Sequence, residues 1–291
     1  MKIGLTAYDI HALEFQELAC AADTSGFDSL WLGEHVVLPI GFSTAHPTSA
    51  QAGDQHHHQG PIVDPETELV DPLVQLGAAA AVTSRLTLAT GIYVVPLRHP
   101  LSTARSACTV QELARGRFQM GVGFGWLAEE FAALDEPFDE RVSRFEESIS
   151  VLRTAWRGGE VIHEGRHFSI SGVQVTKRPT DIPLILGGNS EKALRRAARL
   201  GDGWFSSGTP SFDEAVRLRS ALRQFLAETG VDRPFEVIVR IEGCDASVAS
   251  RYEDAGFENV LVWADQVWPP GRSSAERHDT IHEVAGRLLS R

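Results

Sequence analysis

A glutamate and a histidine stand together near the start of the chain, directly after an apolar segment. Glu34 and His35 follow residues 28–33 (DSLWLG), which predict a short strand. An imidazole titrates near neutral pH and an adjacent carboxylate can tune it, so the pair could donate or accept a proton in a reaction. The alternative is a histidine that only hydrogen-bonds its own loop.

A pair of glycines in front of a helix is the strongest sign of a bound ligand. The pattern predicts a strand over 182–186 and a helix over 191–200, joined by Gly187, Gly188, Asn189 and Ser190. Asn189 or Ser190 can cap the helix, and the N–H groups of a helix N-terminus form an anion site. The segment therefore predicts a phosphate-bearing ligand, with a plain capped helix as the alternative. Lys192 and Arg195 could meet an acidic ligand tail, although a solvated charged face is more usual.

Two further glycine-containing segments follow predicted strands. Gly91 and Ile92 end the strand RLTLATGI, where a glycine can mark a bulge or a close approach to a flat ligand; an ordinary strand end is the alternative. The segment GVGFGW (121–126) lacks the GxGxxG spacing of a dinucleotide site, so that interpretation is rejected. Its alternate glycines let the backbone turn tightly, and Trp126 could form a pocket wall or lie in the core.

About eight strand patterns alternate with helical patterns along the whole chain. This alternation predicts a parallel sheet covered by helices, and eight units favour a closed (β/α)8 TIM barrel over an open sheet. The barrel would form one domain over residues 1–291, with a long loop insertion at about 39–71 placed to act as a lid. Function is then expected at the carboxyl ends of the strands.

Composition narrows the classes of partner. The chain has 291 residues and a net charge of −12, which argues against binding to nucleic acid or an anionic membrane. Three scattered cysteines predict neither a disulfide framework nor a metal site, and His56, His57 and His58 are interpreted as a solvated loop. Neither a signal peptide nor a membrane span is recognised, so a cytoplasmic protein is expected.

Four segments together resemble the luciferase-like monooxygenase family, and in particular its actinobacterial branch of F420-dependent oxidoreductases. They are GFDSLWLGEHVVLP, SRLTLATGIYVVPLRHP, GRFQMGVGFGWLAEEF and LILGGNSEKALRRAARLGDGW, in the family's order and within roughly residues 1–210. Each segment alone is moderately specific, whereas four in order are a strong match. The resemblance implies a (β/α)8 barrel with insertions and a bound deazaflavin coenzyme F420 or, less often, FMN.

The resemblance also implies roles for individual residues. His35 would lie near the redox ring, with Glu34 where the family usually has Asp, and a non-prolyl cis peptide at Gly91–Ile92 would back the ring. The remaining cofactor contacts would come from Gly123, Phe124, Gly125, Trp126, Gly187, Gly188, Asn189 and Ser190. Family members that oxidise sugar phosphates have Glu at the position of Trp126, which argues against such a substrate here.

Three functional hypotheses remain open at this point. The first is an F420-dependent oxidoreductase that transfers a hydride to or from a small organic molecule. The second is an FMN-dependent monooxygenase, and the third is a barrel that binds a flavin or deazaflavin without catalysis. An apolar pocket is expected from Leu38, Tyr93, Val94, Phe124 and Trp126. A homodimer is expected because family members are often dimers.

Overall fold

The computed structural model describes residues 1–45, 66–230 and 233–289. Residues 46–65, with the three consecutive histidines and most of the predicted loop insertion, lie outside the described residues. The strands are β1 (Lys2–Ala7), β2 (Ser29–Leu32), β3 (Thr87–Val94), β4 (Phe118–Gly123), β5 (Glu160–Glu164), β6 (Ser169–Gln174), β7 (Leu184–Gly187), β8 (Gly203–Phe205), β9 (Glu236–Arg240) and β10 (Asn259–Trp263).

Helices lie between most of these strands. They are α1 (Ala12–Ser25), α2 (Pro72–Val82), α3 (Pro100–Leu113), α4 (Ala128–Ala133), α5 (Arg141–Trp156), α6 (Glu191–Leu200), α7 (Phe212–Thr229), α8 (Ala246–Asp254) and α9 (Ser274–Leu289). Short 3₁₀ helices cover Val95–Leu97, Phe138–Glu140 and Ala264–Gln266. Among the described residues, no helix is long and apolar enough to cross a membrane.

Eight of the strands close into a parallel barrel in the order β1-β10-β9-β8-β7-β4-β3-β2, so the predicted (β/α)8 fold is confirmed. The two others, β5 and β6, form a separate antiparallel hairpin between α5 and β7. The pairing of β3 with β4 shifts register between Thr90 and Tyr93. The peptide bond Gly91–Ile92 within this irregular stretch is cis, as the family resemblance implied.

The core has three parts, of which the smallest is a cluster of Val94, Leu97 and Phe131. Side chains of the strands and helices pack in a large outer layer. A smaller cluster fills the barrel interior and consists of Trp31, Ala89, Ile185, Phe205, Ile238 and Leu261. The rings of Trp31 and Phe205 lie 5.3 Å apart in this cluster. These six side chains therefore pack the barrel interior.

Asp23 near the end of α1 joins that helix to the start of β3. Its carboxylate accepts hydrogen bonds from the backbone N–H groups of Ser84 (2.9 Å), Arg85 (2.9 Å) and Leu86 (2.7 Å). Burial works to raise the pKa of Asp23, but these donors outweigh it and hold the pKa below its ordinary value. The carboxylate therefore stabilises the folded state above the unfolded-state pKa, and this stabilisation is lost as the pH falls through the lower folded-state value.

Asp23→Ala is expected to lower the free energy of unfolding at pH 7 by about 1–3 kcal/mol, because three backbone N–H groups, that of buried Leu86 among them, lose a charged acceptor. Asp23→Asn should cost less at pH 7. The stability difference between wild type and Asp23→Asn should shrink as the pH is lowered from about 5 to about 3. Urea unfolding at several pH values measures this, and a difference independent of pH would contradict the assigned role.

Candidate active site

A cavity of about 390 Å³ lies at the carboxyl ends of the barrel strands. This volume lies in the range of small-molecule pockets, which is about 300–1,000 Å³. Every site residue predicted from the sequence lines it: Glu34, His35, Gly91, Ile92, Gly123, Phe124, Gly125, Trp126, Gly187, Gly188, Asn189 and Ser190. Four separate stretches of chain thus meet at one place, because the carboxyl ends of parallel barrel strands share one end of the barrel.

One wall of the cavity consists largely of bare backbone from β3, β4 and β7. A Cβ atom placed on Gly123 would lie 2.0 Å from Cδ1 of Ile92, so the two segments approach too closely for a side chain at that position. Gly188 has φ +119°, a conformation that L side chains rarely adopt. A wall of this kind presents peptide groups and little side-chain bulk, which suits a flat ring.

The segment after β7 forms a capped helix start, as predicted. The side chain of Ser190 accepts a hydrogen bond from the N–H of Ala193 (3.2 Å). The amide of Asn189 bridges to the segment after β8, donating to the carbonyl of Ser207 and accepting from its N–H, both at 2.8 Å. Backbone N–H groups at this helix start lie at the cavity edge, where an anion could bind them.

His35 is held by a carboxylate that the sequence analysis did not identify. Its Nδ1 lies 2.9 Å from Oε2 of Glu130, which is fully buried at the start of α4. Oε1 of Glu130 accepts from the N–H of Val36 (2.5 Å) and more weakly from that of Val37 (3.4 Å). With Nδ1 engaged, Nε2 is the ring nitrogen left to exchange a proton with a ligand.

Glu34 has a different partner from the one its position suggested. Its oxygens accept from both terminal nitrogens of Arg98 (2.9 and 2.8 Å) and from the N–H of Val94 (2.6 Å). Burial raises the pKa of Glu34, while Arg98 and the Val94 N–H oppose that rise. The carboxylate that contacts His35 is thus Glu130, and the adjacent Glu34 fixes β2 to the end of β3.

Aromatic rings surround the imidazole. The rings of Trp126 and Tyr8 lie 6.0 and 6.4 Å from that of His35, both edge to face. Burial, followed by the nearby charges of Glu130 and Asp9, raises the pKa of Tyr8. Tyr8 therefore stays a neutral phenol through the physiological pH range.

Two details of the expected pocket are wrong. Leu38 and Tyr93 do not line the cavity. Tyr93 lies instead under the guanidinium of Arg98, whose Cζ is 4.3 Å from the ring centroid, because the register shift in β3 turns its side chain outward. Val94, Phe124 and Trp126 do line the cavity, so the apolar character expected of it is retained.

The basic residues of α6 are mostly occupied by glutamates. Arg195 pairs with Glu191 (2.9 Å) and with Glu228 (2.6 Å). Arg196 and Arg199 both pair with Glu146. None of these arginines lines the cavity, so they give no evidence for an acidic ligand tail. The alternative interpretation, a solvated charged face of the helix, is the better one.

Residues that the sequence analysis missed include Tyr8, Glu130, Arg240 and Trp263. Tyr8, Arg240 and Trp263 lie at or just after the carboxyl ends of β1, β9 and β10, and all three line the cavity. The expectation that functional residues lie at the carboxyl ends of barrel strands would have identified these three residues if it had been applied to every strand. Glu130 carried no such signal, because its neighbour Glu129 on α4 has the same residue type and contacts exposed Ser43 instead.

The chain is similar in sequence to several known proteins. The family model of luciferase-like monooxygenases matches residues 3–255. An uncharacterized protein of Mycobacterium tuberculosis is 29% identical over 272 residues, which are 92% of this chain and 91% of that protein. An F420-dependent glucose-6-phosphate dehydrogenase of Beutenbergia cavernae is 32% identical over 188 residues, 63% of this chain and 49% of that enzyme.

Solved structures share the fold along the whole chain. The monooxygenase RslO1 of Streptomyces bottropensis has a TM-score of 0.73 at 20% identity and covers 99% of both chains. An F420-dependent secondary alcohol dehydrogenase in complex with an F420–acetone adduct has a TM-score of 0.74 at 18% identity, over 99% of this chain and 98% of that one. At these identities the likeness establishes the barrel fold and its topology.

Proposed function

Because the chain belongs to the luciferase-like monooxygenase family, we propose that it is an F420-dependent oxidoreductase that transfers a hydride between the deazaflavin and a small organic substrate. The observation that carries the proposal is the cavity in which a glycine-lined backbone wall and the Glu130-bound His35 meet. The F420-dependent relative at 32% identity supports the choice of cofactor. FMN is the alternative cofactor that the test below must distinguish.

The residues of the cavity fit a flat, phosphate-bearing cofactor. The bare backbone at Gly91, Gly123 and Gly125 would lie against the ring. A Cβ atom at Gly123 would clash with Ile92, so this part of the wall has no room for a side chain. The N–H groups at the start of α6, with Ser190 as its cap, would hold the phosphate. When bound, F420 supplies two-electron hydride chemistry and reacts poorly with oxygen, and the protein contributes orientation and electrostatics.

We assign to His35 the transfer of the proton that accompanies the hydride. In the oxidation of an alcohol, Nε2 would accept the hydroxyl proton as the C–H bond is broken and the carbonyl forms. In the reverse direction, Nε2 would return the proton to the carbonyl oxygen. Glu130 acts as a positioning residue, because it accepts from Nδ1–H and so keeps Nε2 available to the substrate.

The first experiment is a side-by-side fluorescence titration of the purified apo-protein with F420 and with FMN. We expect F420 to bind in the micromolar range or below, about tenfold or more tighter than FMN. The loaded protein is then mixed with a panel of alcohols and carbonyl compounds while the F420 absorbance is followed. Tighter binding of FMN than of F420 would indicate an FMN-dependent monooxygenase. If neither cofactor binds, the proposal is overturned.

Ser190→Asp tests the phosphate cradle separately from folding. Aspartate caps a helix about as well as serine, so the stability of the fold should change little. The added negative charge at the cradle should nevertheless weaken F420 binding by about tenfold, because the new carboxylate would repel the cofactor phosphate at close range even at this exposed position. Titration with F420 and thermal melting of both proteins measure the two effects.

Ser190→Ala is the matched control for this change. It loses the cap, which costs about 1 kcal/mol of stability, but adds no charge, so its F420 affinity should fall less than that of Ser190→Asp. Equal affinities for wild type and Ser190→Asp would mean that the segment from 187 to 190 is only a helix cap.

A further inference from the structure

An apolar segment next to the candidate active site lies partly in solvent, and the proposed reaction assigns it no role. Residues 36–42 (VVLPIGF) follow His35 directly, contain no polar side chain, and none of them is fully buried. Ile40 is 94% exposed and Phe42 is 45% exposed. A run of exposed apolar residues is unfavourable in water unless it serves a binding function. We call residues 36–42 the apolar ledge.

The start of the apolar ledge is fixed to the body of the protein. The N–H of Val36 donates to the carboxylate of Glu130 at 2.5 Å. The side chain of Val36 packs against the cluster of Val94, Leu97 and Phe131. A surface that is already held in place loses little conformational entropy when a ligand binds to it, so the exposed part of the ledge is suited to ligand binding.

Aromatic rings connect the apolar ledge to the imidazole that faces the substrate. The ring of Phe42 lies 6.4 Å from that of Trp126, and the ring of Trp126 lies 6.0 Å from that of His35, both edge to face. Trp126 and His35 line the cavity, whereas Phe42 does not. The ledge therefore continues the apolar wall of the cavity outward, from the reacting centre past Trp126 into solvent.

The chemistry of this path favours an uncharged apolar chain. Val94, Phe124 and Trp126 line the cavity, and the ledge that follows has only aliphatic and aromatic side chains. Each methylene group that is moved from water into fully apolar surroundings raises affinity by about fourfold. A chain on an open ledge is covered on one side only, so a gain of about twofold per methylene group is expected there.

We propose that the apolar ledge is the subsite for an apolar tail of the substrate, with Phe42 as a specificity-determining residue. The substrate is then a neutral alcohol or ketone whose tail extends out of the cavity over Phe42 and Ile40, while its reacting carbon lies beside His35. This assignment rests on the proposed function for the identity of the reacting group. The subsite itself depends only on the ledge and on its continuity with the cavity.

The test uses methyl ketones with straight tails from ethyl to octyl. Binding to the protein loaded with oxidised F420 is measured by calorimetry, and no turnover takes place because the oxidised cofactor has no hydride to give. In the wild type, affinity should rise by about twofold per methylene group once the tail reaches the ledge. Phe42→Ala should weaken the longest ketones by about 5- to 10-fold and leave methyl ethyl ketone within about twofold of wild type.

Ile40→Ser and Ile162→Ser form a matched pair of variants. Both isoleucines are exposed, Ile40 on the ledge and Ile162 on the hairpin strand β5, so neither change should affect folding much. Ile40→Ser should weaken the longest ketones by about 3- to 5-fold, because it removes apolar surface under the tail. Ile162→Ser should leave every ketone within about twofold of wild type. Circular dichroism and thermal melting establish that each variant is folded.

The outcomes separate this subsite from the proposed function. A wild-type affinity independent of tail length would overturn the subsite, and so would an equal loss for short and long ketones in Phe42→Ala. Loss of F420 affinity in Phe42→Ala would also overturn it, because Phe42 would then contact the cofactor. If the ledge variants changed the sedimentation of the protein and not its ketone affinity, the ledge would be a contact between two copies of the chain.

Failure of the wild type to bind F420 would overturn the proposed function alone. The same ketone series on the apo-protein, with Phe42→Ala and Ile162→Ser beside the wild type, would then still decide whether the ledge binds an apolar tail.

Discussion

Replacing His35 by alanine is expected to lower kcat/KM for the substrate found in the alcohol and carbonyl panel by about 100- to 10,000-fold, the range that a general acid or base contributes. The affinity for F420 should change little, because the backbone wall and the phosphate cradle remain. Steady-state kinetics and F420 titration of the same preparation measure the two quantities. Full activity in His35→Ala would exclude the proton-transfer role and leave the cofactor assignment standing.

The variant Glu130→Gln keeps the imidazole of His35 but removes the carboxylate that positions it, so it tests the positioning alone. The amide can still accept from the N–H of Val36, but it no longer offers a carboxylate to Nδ1 of His35. The imidazole is then free to carry its proton on Nε2, where it cannot act as a base. We expect kcat to fall by about tenfold or more in alcohol oxidation, together with a shifted pH–rate profile.

Glu129→Gln is the control for this variant, because it makes the same change one residue earlier on α4. Glu129 accepts hydrogen bonds from Ser43 and Thr44, on the exposed side of the helix. Its pH–rate profile should match that of the wild type. Identical profiles for Glu129→Gln and Glu130→Gln would show that the buried carboxylate does not act through His35.

Arg98→Met is expected to have the largest effect on stability, lowering the free energy of unfolding by about 3–5 kcal/mol. The reason is that Glu34 is buried and would lose both hydrogen bonds from the guanidinium, leaving a carboxylate that only the N–H of Val94 supports. Loss of Arg98 also removes one of the effects that oppose the burial-induced rise of the Glu34 pKa, so this carboxyl should protonate more readily. Urea unfolding of the apo-protein measures the change.

The double variant Glu34→Gln/Arg98→Met should be more stable than Arg98→Met alone, since a neutral amide costs less to bury than an unpaired carboxylate. Arg166→Met is a matched control at an exposed ion pair with Glu140, and it should change stability by no more than about 0.5 kcal/mol. A cost for Arg98→Met as small as that of the control would return Glu34 to the list of catalytic candidates.

Hydrophobic periodicity and glycine placement were enough to predict the barrel. The helix at 191–200 has the predicted bounds, because its apolar spacing and its capping residue are local features of the chain. The short helix Ala128–Ala133 was missed, since six residues give too little periodicity to detect and it has no side-chain cap. Its omission also hid the residue that binds His35.

The sequence by itself determined the fold, the end of the barrel that carries the site, and the twelve residues predicted to line it. The fold and the shared end of the barrel follow from local patterns and from the rule that parallel strands bring their carboxyl ends together, whereas most of the twelve residues were implied by the family resemblance. Only the tertiary structure decided which charges meet. Glu34 precedes His35 in the chain but pairs with Arg98, while Glu130, 95 residues away from His35, supplies the contact with its imidazole.

The physical reason is that a hydrogen bond depends on side-chain direction and distance, neither of which a one-dimensional pattern contains. After β2 ends at Leu32, the two neighbouring side chains contact different segments: Glu34 contacts Arg98 after β3, and His35 contacts Glu130 on α4. Arg240 shows the same limit, because a charged residue at the end of an apolar segment looks like an exposed one until the barrel closes around it. Closure of the eight strands turns the ends of β1, β9 and β10 toward the same cavity as the predicted residues.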